Sequence, residues 1–327
     1  MNIDFLLRFN INVPVMKNPA GPILKTGGTK NPENISFDGT QMTIDFHTHI
    51  FPPRVRENRE VFLKGEQAFK TLYNSPQAKL VGARDLISEM DEAGVQKSVV
   101  FGFPWENADY FKLNNDYVVE AVGRYPDRLV GLACFSPFSP KGAREADRCL
   151  DQGLSGVGEL AVYGGGITAA VVQALEPVMA MCLERNGLFM LHTNEPVGHQ
   201  YPGKTPNTLR QIYDFVKAYP ENRIILAHWG GGLLFYALMK KEVVKVLKNV
   251  WFDTAASPFL YRPEMYRIAG EVVGFDKILF GSDYPLLKPQ RYFKEIASVG
   301  LSAKQMEQIT GLNARNLLAG LTPNGNF

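Results

Sequence analysis

MTIDFHTHIF, residues 42–51, sets Asp45, His47 and His49 in alternation with Ile44, Phe46 and Thr48. Side chains of a strand alternate between its faces, so this spacing predicts a strand with its two histidines on one side. In a closed barrel the apolar face packs outward on the helices, and the active site forms at the C-terminal ends of the strands. Two imidazoles two residues apart on such a strand can grip one metal ion. A His-x-His pair also occurs by chance, so its weight depends on what the rest of the chain supplies.

Seven further apolar runs follow: VQKSVVFGF from Val95, RLVGLACF from Arg128, SGVGEL from Ser155, LFMLHT from Leu188, RIILAHW from Arg223, VWFDT from Val250 and KILFGSD from Lys277. Between them lie amphipathic stretches such as ARDLISEMDEAG, AAVVQALEPVMAMCLERNG and TPNTLRQIYDFVKAYP, several ending in Gly or Pro where a helix should stop. Strands alternating with helices predict a parallel sheet, and eight such units in roughly 285 residues predict an α/β protein with a (β/α)8 barrel. A doubly wound open sheet usually carries a Gly-rich phosphate turn after its first strand; here that strand ends in histidines.

The chain has five histidines, and four of them fall at predicted strand ends. His192 closes LFMLHT, His228 closes RIILAHW, and Asp283 follows KILFGS. A structural histidine explains any one of these, but not the convergence of all of them with an aspartate on one end of a barrel. Imidazoles and a carboxylate suit Zn²⁺, with Fe, Mn or Co allowed by geometry and availability. Glu159 ends the fourth strand, where it can reach a metal or serve as a hydrogen-bonded, substrate-facing group. Glu195, His199, Tyr201 and Lys204 sit on the loop after the fifth strand. With Trp229 beside His228, Glu195 and His199 are candidate substrate contacts, the alternative being a loop held by its own Pro and Gly residues. The long insertion from Pro52 to Gly82 reads either as a lid or as a solvated charged loop.

The first 41 residues, rich in Gly, Pro, Asn and Thr without periodicity, read as an irregular arm, and residues 42–327 as the barrel domain. Met42 opens the barrel so abruptly that the working protein is expected to begin there. A net charge of +2 from 35 basic and 33 acidic residues gives no footprint for nucleic acid or an anionic membrane, which leaves a small molecule as the expected partner. Three widely spaced cysteines suggest neither disulfides nor a thiolate site and fit a reducing cytoplasm. No apolar run is long enough to span a membrane.

DFHTHIFP, LHTNEP, AHWGGG, LFGSDYP and the C-terminal LNARNLL, in that order over about residues 43–319, resemble the amidohydrolase-related family that includes aminocarboxymuconate-semialdehyde decarboxylase. The resemblance implies that His47, His49, His192 and Asp283 bind a divalent metal, expected to be Zn²⁺, and that His228 is a catalytic acid or base or polarises the substrate; Asp283 could take a proton from the metal-activated water. The resemblance further implies hydrolysis of an amide, lactone or ester through a metal-activated water as the first expectation, and non-oxidative decarboxylation of a small unsaturated or aromatic acid as the second. Members of that family often pair, so the resemblance also allows a homodimer.

Overall fold

The computed structural model describes residues 42–321. The arm read over residues 1–41, and the start expected at Met42, concern a segment outside the described residues. All eight expected strands form: β1 (Ile44–His49), β2 (Lys97–Phe101), β3 (Leu129–Gly131), β4 (Gly156–Leu160), β5 (Leu188–Leu191), β6 (Arg223–Leu226), β7 (Val250–Asp253) and β8 (Ile278–Leu279).

They pair in sequence order and in parallel, β1-β2-β3 in one sheet and β4 to β8 in the other. Two seams join the sheets. At the first, Ala133 bridges Val157, with Ala133 N–H donating to Gly156 O at 2.9 Å and Gly158 N–H to Ala133 O at 2.8 Å. At the second, Thr48 bridges Tyr284, and Phe46 N–H donates to Phe280 O at 2.7 Å and His49 N–H to Tyr284 O at 2.8 Å. The ring is thereby closed as the (β/α)8 architecture requires. Closure also explains why β1 is buried along its whole length: its outer face meets helices and its inner face the barrel interior.

Local signals set the helix ends. Ala83–Ala93 stops at Gly94, whose φ of +71° is the left-handed cap that glycine takes without strain. Leu209–Ala218 begins with Thr208 and Gln211 in a reciprocal capping box. The insertion after β1 forms three short helices, Pro53–Glu57, Arg59–Phe62 and Gln67–Tyr73, followed by an irregular stretch over residues 74–82. They are anchored by aromatic packing, with Phe69 4.3 Å from Trp105 and Phe62 5.8 Å from it between ring centroids. Burial of such rings is worth roughly 1.5–3 kcal/mol each, enough to order a short segment that propensity alone would not. No helix among the described residues is long and apolar enough to cross a membrane.

Candidate metal centre

The C-terminal ends of five strands deliver six groups to one buried place: His47 and His49 from β1, Glu159 from β4, and His192, His228 and Asp283 just beyond β5, β6 and β8. Three overlapping triads have their ligand atoms within 4.8 Å of one another: His47 with His228 and Asp283, His47 with His49 and Glu159, and Glu159 with His192 and His228.

The outward hydrogen bonds of the histidines decide what their inner nitrogens can do. His49 Nδ1 lies 3.0 Å from Gly102 O, His192 Nε2 3.0 Å from Gly203 O, and His228 Nδ1 3.0 Å from Ala255 O. A carbonyl oxygen only accepts, so each of these nitrogens carries the proton. His47 Nδ1 is 2.8 Å from Asp253 Oδ2 and donates in the same way. In the neutral rings, four lone pairs are therefore turned inward toward two carboxylates, an arrangement with acceptors and no donor.

His47 Nε2 is fully buried, has no hydrogen-bond partner among the described residues, and lies 3.6 Å from both Glu159 Oε2 and Asp283 Oδ1. His192 Nδ1 is 2.9 Å from Glu159 Oε1 and 3.2 Å from His228 Nε2, which is 3.3 Å from the same oxygen. Ligand atoms at metal bonds of about 2.1 Å stand roughly 3.0–3.4 Å apart in octahedral or tetrahedral sites, so these residues fit a divalent cation. Positive charge is what the centre lacks. Burial works against protonation of His47, yet Asp253 and Glu159 outweigh it and raise the ring to about 10. Burial likewise opposes the charge on His228, but its hydrogen bond to Glu159 carries it to about 9. Burial raises Asp283, while His49 and His47 pull it down to about 2, and His192 and His47 overcome burial to hold Glu159 well below the usual carboxylate range.

The expected residues fall in three groups. His47, His49, His192, His228, Asp283 and Glu159 come together, but His192 stands with Glu159 and His228 rather than in one triad with the β1 pair. Trp229 is fully buried, its ring 5.4 Å from Tyr266 and its Nε1 donating to Ser257 Oγ at 3.0 Å. Glu195 is occupied within its own loop by Lys204 and Tyr201, and His199 is exposed on that loop.

Asp253, fully buried at the end of β7, is the group the sequence reading missed. Its second oxygen accepts the backbone N–H of His228 at 2.9 Å and of Ala255 at 3.0 Å. The backbone there is left-handed for five residues, with φ of 54° at His228, 61° at Trp229, 63° at Gly230, 62° at Gly231 and 90° at Gly232. Glycine enters that region freely, whereas His228 and Trp229 each incur roughly 1–2 kcal/mol. Asp253 and the packing of Trp229 offset that cost, and the sharp turn presents the His228 ring to the centre.

Comparison with known proteins agrees with this architecture. The structure is similar to a dihydroxybenzoic acid decarboxylase from Polaromonas sp. JS666, solved with manganese and 2-nitroresorcinol, at 20% identity and a TM-score of 0.62, covering 85% of this chain and 97% of that one. It is similar to a 5-carboxyvanillate decarboxylase from Novosphingobium aromaticivorans, solved with manganese and 4-hydroxy-3-methoxy-5-nitrobenzoic acid, at 15% identity and a TM-score of 0.66, covering 88% and 99%. A 2,6-dihydroxybenzoate decarboxylase from Rhizobium matches at 17% identity and a TM-score of 0.60, covering 85% and 98%. At these identities the likeness establishes the shared barrel. The amidohydrolase family profile matches residues 44–319, most of the chain, and the protein belongs to the amidohydrolase family.

Proposed function

We propose that this protein is a divalent-metal-dependent, non-oxidative decarboxylase of a small aromatic or unsaturated acid. The observation that carries this reading is an aromatic wall set directly against the ligand cluster. Tyr163 lies 6.1 Å from the His192 ring and stacks on Phe103 at 6.4 Å, and Tyr73, brought in by the insertion helices, meets Phe103 at 5.9 Å. Burial raises both phenols, and the Glu159 and Asp283 carboxylates push them up further, so the two tyrosines stay neutral. Such a wall suits a flat, unsaturated ring by offset or edge-to-face contact. Acids of that kind are the substrates named for the solved decarboxylases, which supports this reading over the hydrolysis expected first.

A divalent ion held by His47, His49, His192, Asp283 and Glu159 would supply positive charge for the substrate's carboxylate and a neighbouring oxygen. Imidazole and carboxylate donors suit both Zn²⁺ and Mn²⁺; the manganese in two of the similar structures favours Mn²⁺ over the zinc expected from the sequence. His228 carries the proton. Burial opposes its charge, but in the metal-free centre Glu159 raises the ring to about 9, and its Nε2 faces the centre 3.3 Å from Glu159 Oε1. It can deliver that proton to the carbon bearing the carboxylate. The C–C bond then breaks, CO₂ leaves, the electron pair restores the ring's unsaturation, and His228 regains its proton from solvent.

The experiment is turnover of hydroxybenzoates and unsaturated acids by Mn²⁺-loaded protein in D₂O and in H₂¹⁸O. Release of CO₂, one deuterium at carbon and no ¹⁸O in the organic product is expected. Opening of an amide, ester or lactone with ¹⁸O in the product, and no CO₂ from any acid, would overturn the proposal in favour of hydrolysis.

A further inference from the structure

The loop after β5 returns on itself through polar contacts unrelated to the ligand cluster. At its neck, Thr205 N–H donates to Asn194 Oδ1 at 2.8 Å, and Asn194 Nδ2 donates back to Thr205 O at 3.2 Å. One step further out, Lys204 Nζ donates to Glu195 Oε1 at 2.9 Å, Val197 O at 3.1 Å and His199 O at 3.3 Å, which uses all three ammonium protons. The Lys204 side chain is 3% exposed. Tyr201 O–H donates to the other Glu195 oxygen at 2.9 Å. The residue directly before Lys204 is Gly203, whose φ of +96° turns its carbonyl inward onto His192 Nε2 at 3.0 Å.

We infer that Lys204 and Glu195 are positioning residues that, by clamping this loop, hold the Gly203 carbonyl on His192 and so select the ring tautomer whose Nδ1 lone pair faces the metal centre. The physical chain is short. Which imidazole nitrogen is free to ligate depends on the acceptor that holds the other, and for His192 that acceptor is a loop carbonyl rather than a rigid strand or a carboxylate. A carbonyl on a loop stays in place only if the loop does. An ammonium only 3% exposed that joins one carboxylate to two carbonyls supplies that rigidity, because releasing it would cost all three of its hydrogen bonds. Glu195 is thus engaged in holding the loop rather than in contacting substrate. The inference rests on the metal centre proposed above and is independent of the reaction that the centre catalyses.

The test is Mn²⁺ titration of the full chain together with ¹⁵N spectra of its histidine rings, the His192 signals being identified by their loss in His192→Gln. Lys204→Met is expected to raise the Kd for Mn²⁺ roughly tenfold or more and to move the His192 signals from the single Nε2–H form toward a mixture of tautomers. Glu195→Gln/Lys204→Met removes both charges and leaves none unpaired, so it keeps the question open to measurement where the single variant folds poorly; the same two changes are expected. A wild-type Kd, or unaltered His192 signals, in either folded variant would overturn the inference. Neither readout uses substrate, so failure of the decarboxylase proposal leaves this test intact.

Discussion

Asp253 and His47 form a fully buried pair, Oδ2 to Nδ1 at 2.8 Å, and the other Asp253 oxygen holds the backbone of His228. One carboxylate therefore orients the proposed β1 ligand and fixes the turn carrying the proposed proton donor. Asp253→Asn keeps the shape but lets an amide N–H face the His47 ring in place of an acceptor. The variant is expected to lose roughly 10–100-fold in metal affinity, read by metal titration of stripped protein; an unchanged affinity would remove Asp253 from any role at the centre.

The ligand and proton-transfer roles separate between His49 and His228. His49→Ala is expected to remove the tightly bound ion. His228→Asn is expected to keep it while kcat falls by roughly 10²–10⁴, the usual worth of a general acid. Metal analysis beside kcat measures both. Metal loss in His228→Asn that excess Mn²⁺ restores would make His228 a ligand instead.

Protons and metal compete at His47, whose folded-state value is raised to about 10. Below that pH the stripped site holds a proton on Nε2 that the ion must displace, while Glu159 and Asp283 are already ionised. Metal binding at pH 7 is thus expected to release about one proton, and affinity to rise about tenfold per pH unit up to roughly pH 10. Calorimetric titration in buffers of different ionisation enthalpy counts the protons. A count of two would mean that His228 gives up its proton as well, contrary to its proposed role.

Gly231 has φ of +62°, and a Cβ there would stand 2.3 Å from Asn194 O; Gly232 has φ of +90°, but its Cβ would meet nothing nearer than Phe235 at 3.7 Å. Gly231→Ala incurs both strain and a backbone clash and is expected to cost at least roughly 2 kcal/mol, whereas Gly232→Ala incurs the strain alone, about 1–2 kcal/mol. Urea unfolding of the two variants would show the difference, and equal midpoints would contradict it.

The architecture was legible because each strand's apolar run is bounded by its own turn signals, and all eight runs became strands. Their ends were less so. The run read from Lys277 to Asp283 keeps only Ile278–Leu279 as strand, since Phe280 onward leaves the β7 ladder to hydrogen-bond β1 across the seam. The six converging groups were visible as polar residues closing apolar runs. Asp253 closes VWFDT in the same manner and carried the same signal, but its task is to hold other residues, which spacing does not reveal. Trp229 follows His228 in the chain, but its indole packs against Tyr266 and donates to Ser257, contacts that adjacency in sequence does not reveal. The insertion helices were illegible because their order comes from rings distant in sequence, such as Trp105 and Phe103.

The two seams of the barrel give the centre a mechanical meaning. His47 and His49 belong to the three-stranded sheet, whereas Glu159, His192 and Asp283 extend from the five-stranded one, and the backbone join between the sheets is thin at both places. An ion gripped from both sides, as proposed, would act as a rivet across that join. Stripping it would loosen the ring along Thr48–Tyr284 and Ala133–Val157 before any helix melts, and amide hydrogens on either side of these lines would be the first to exchange with solvent.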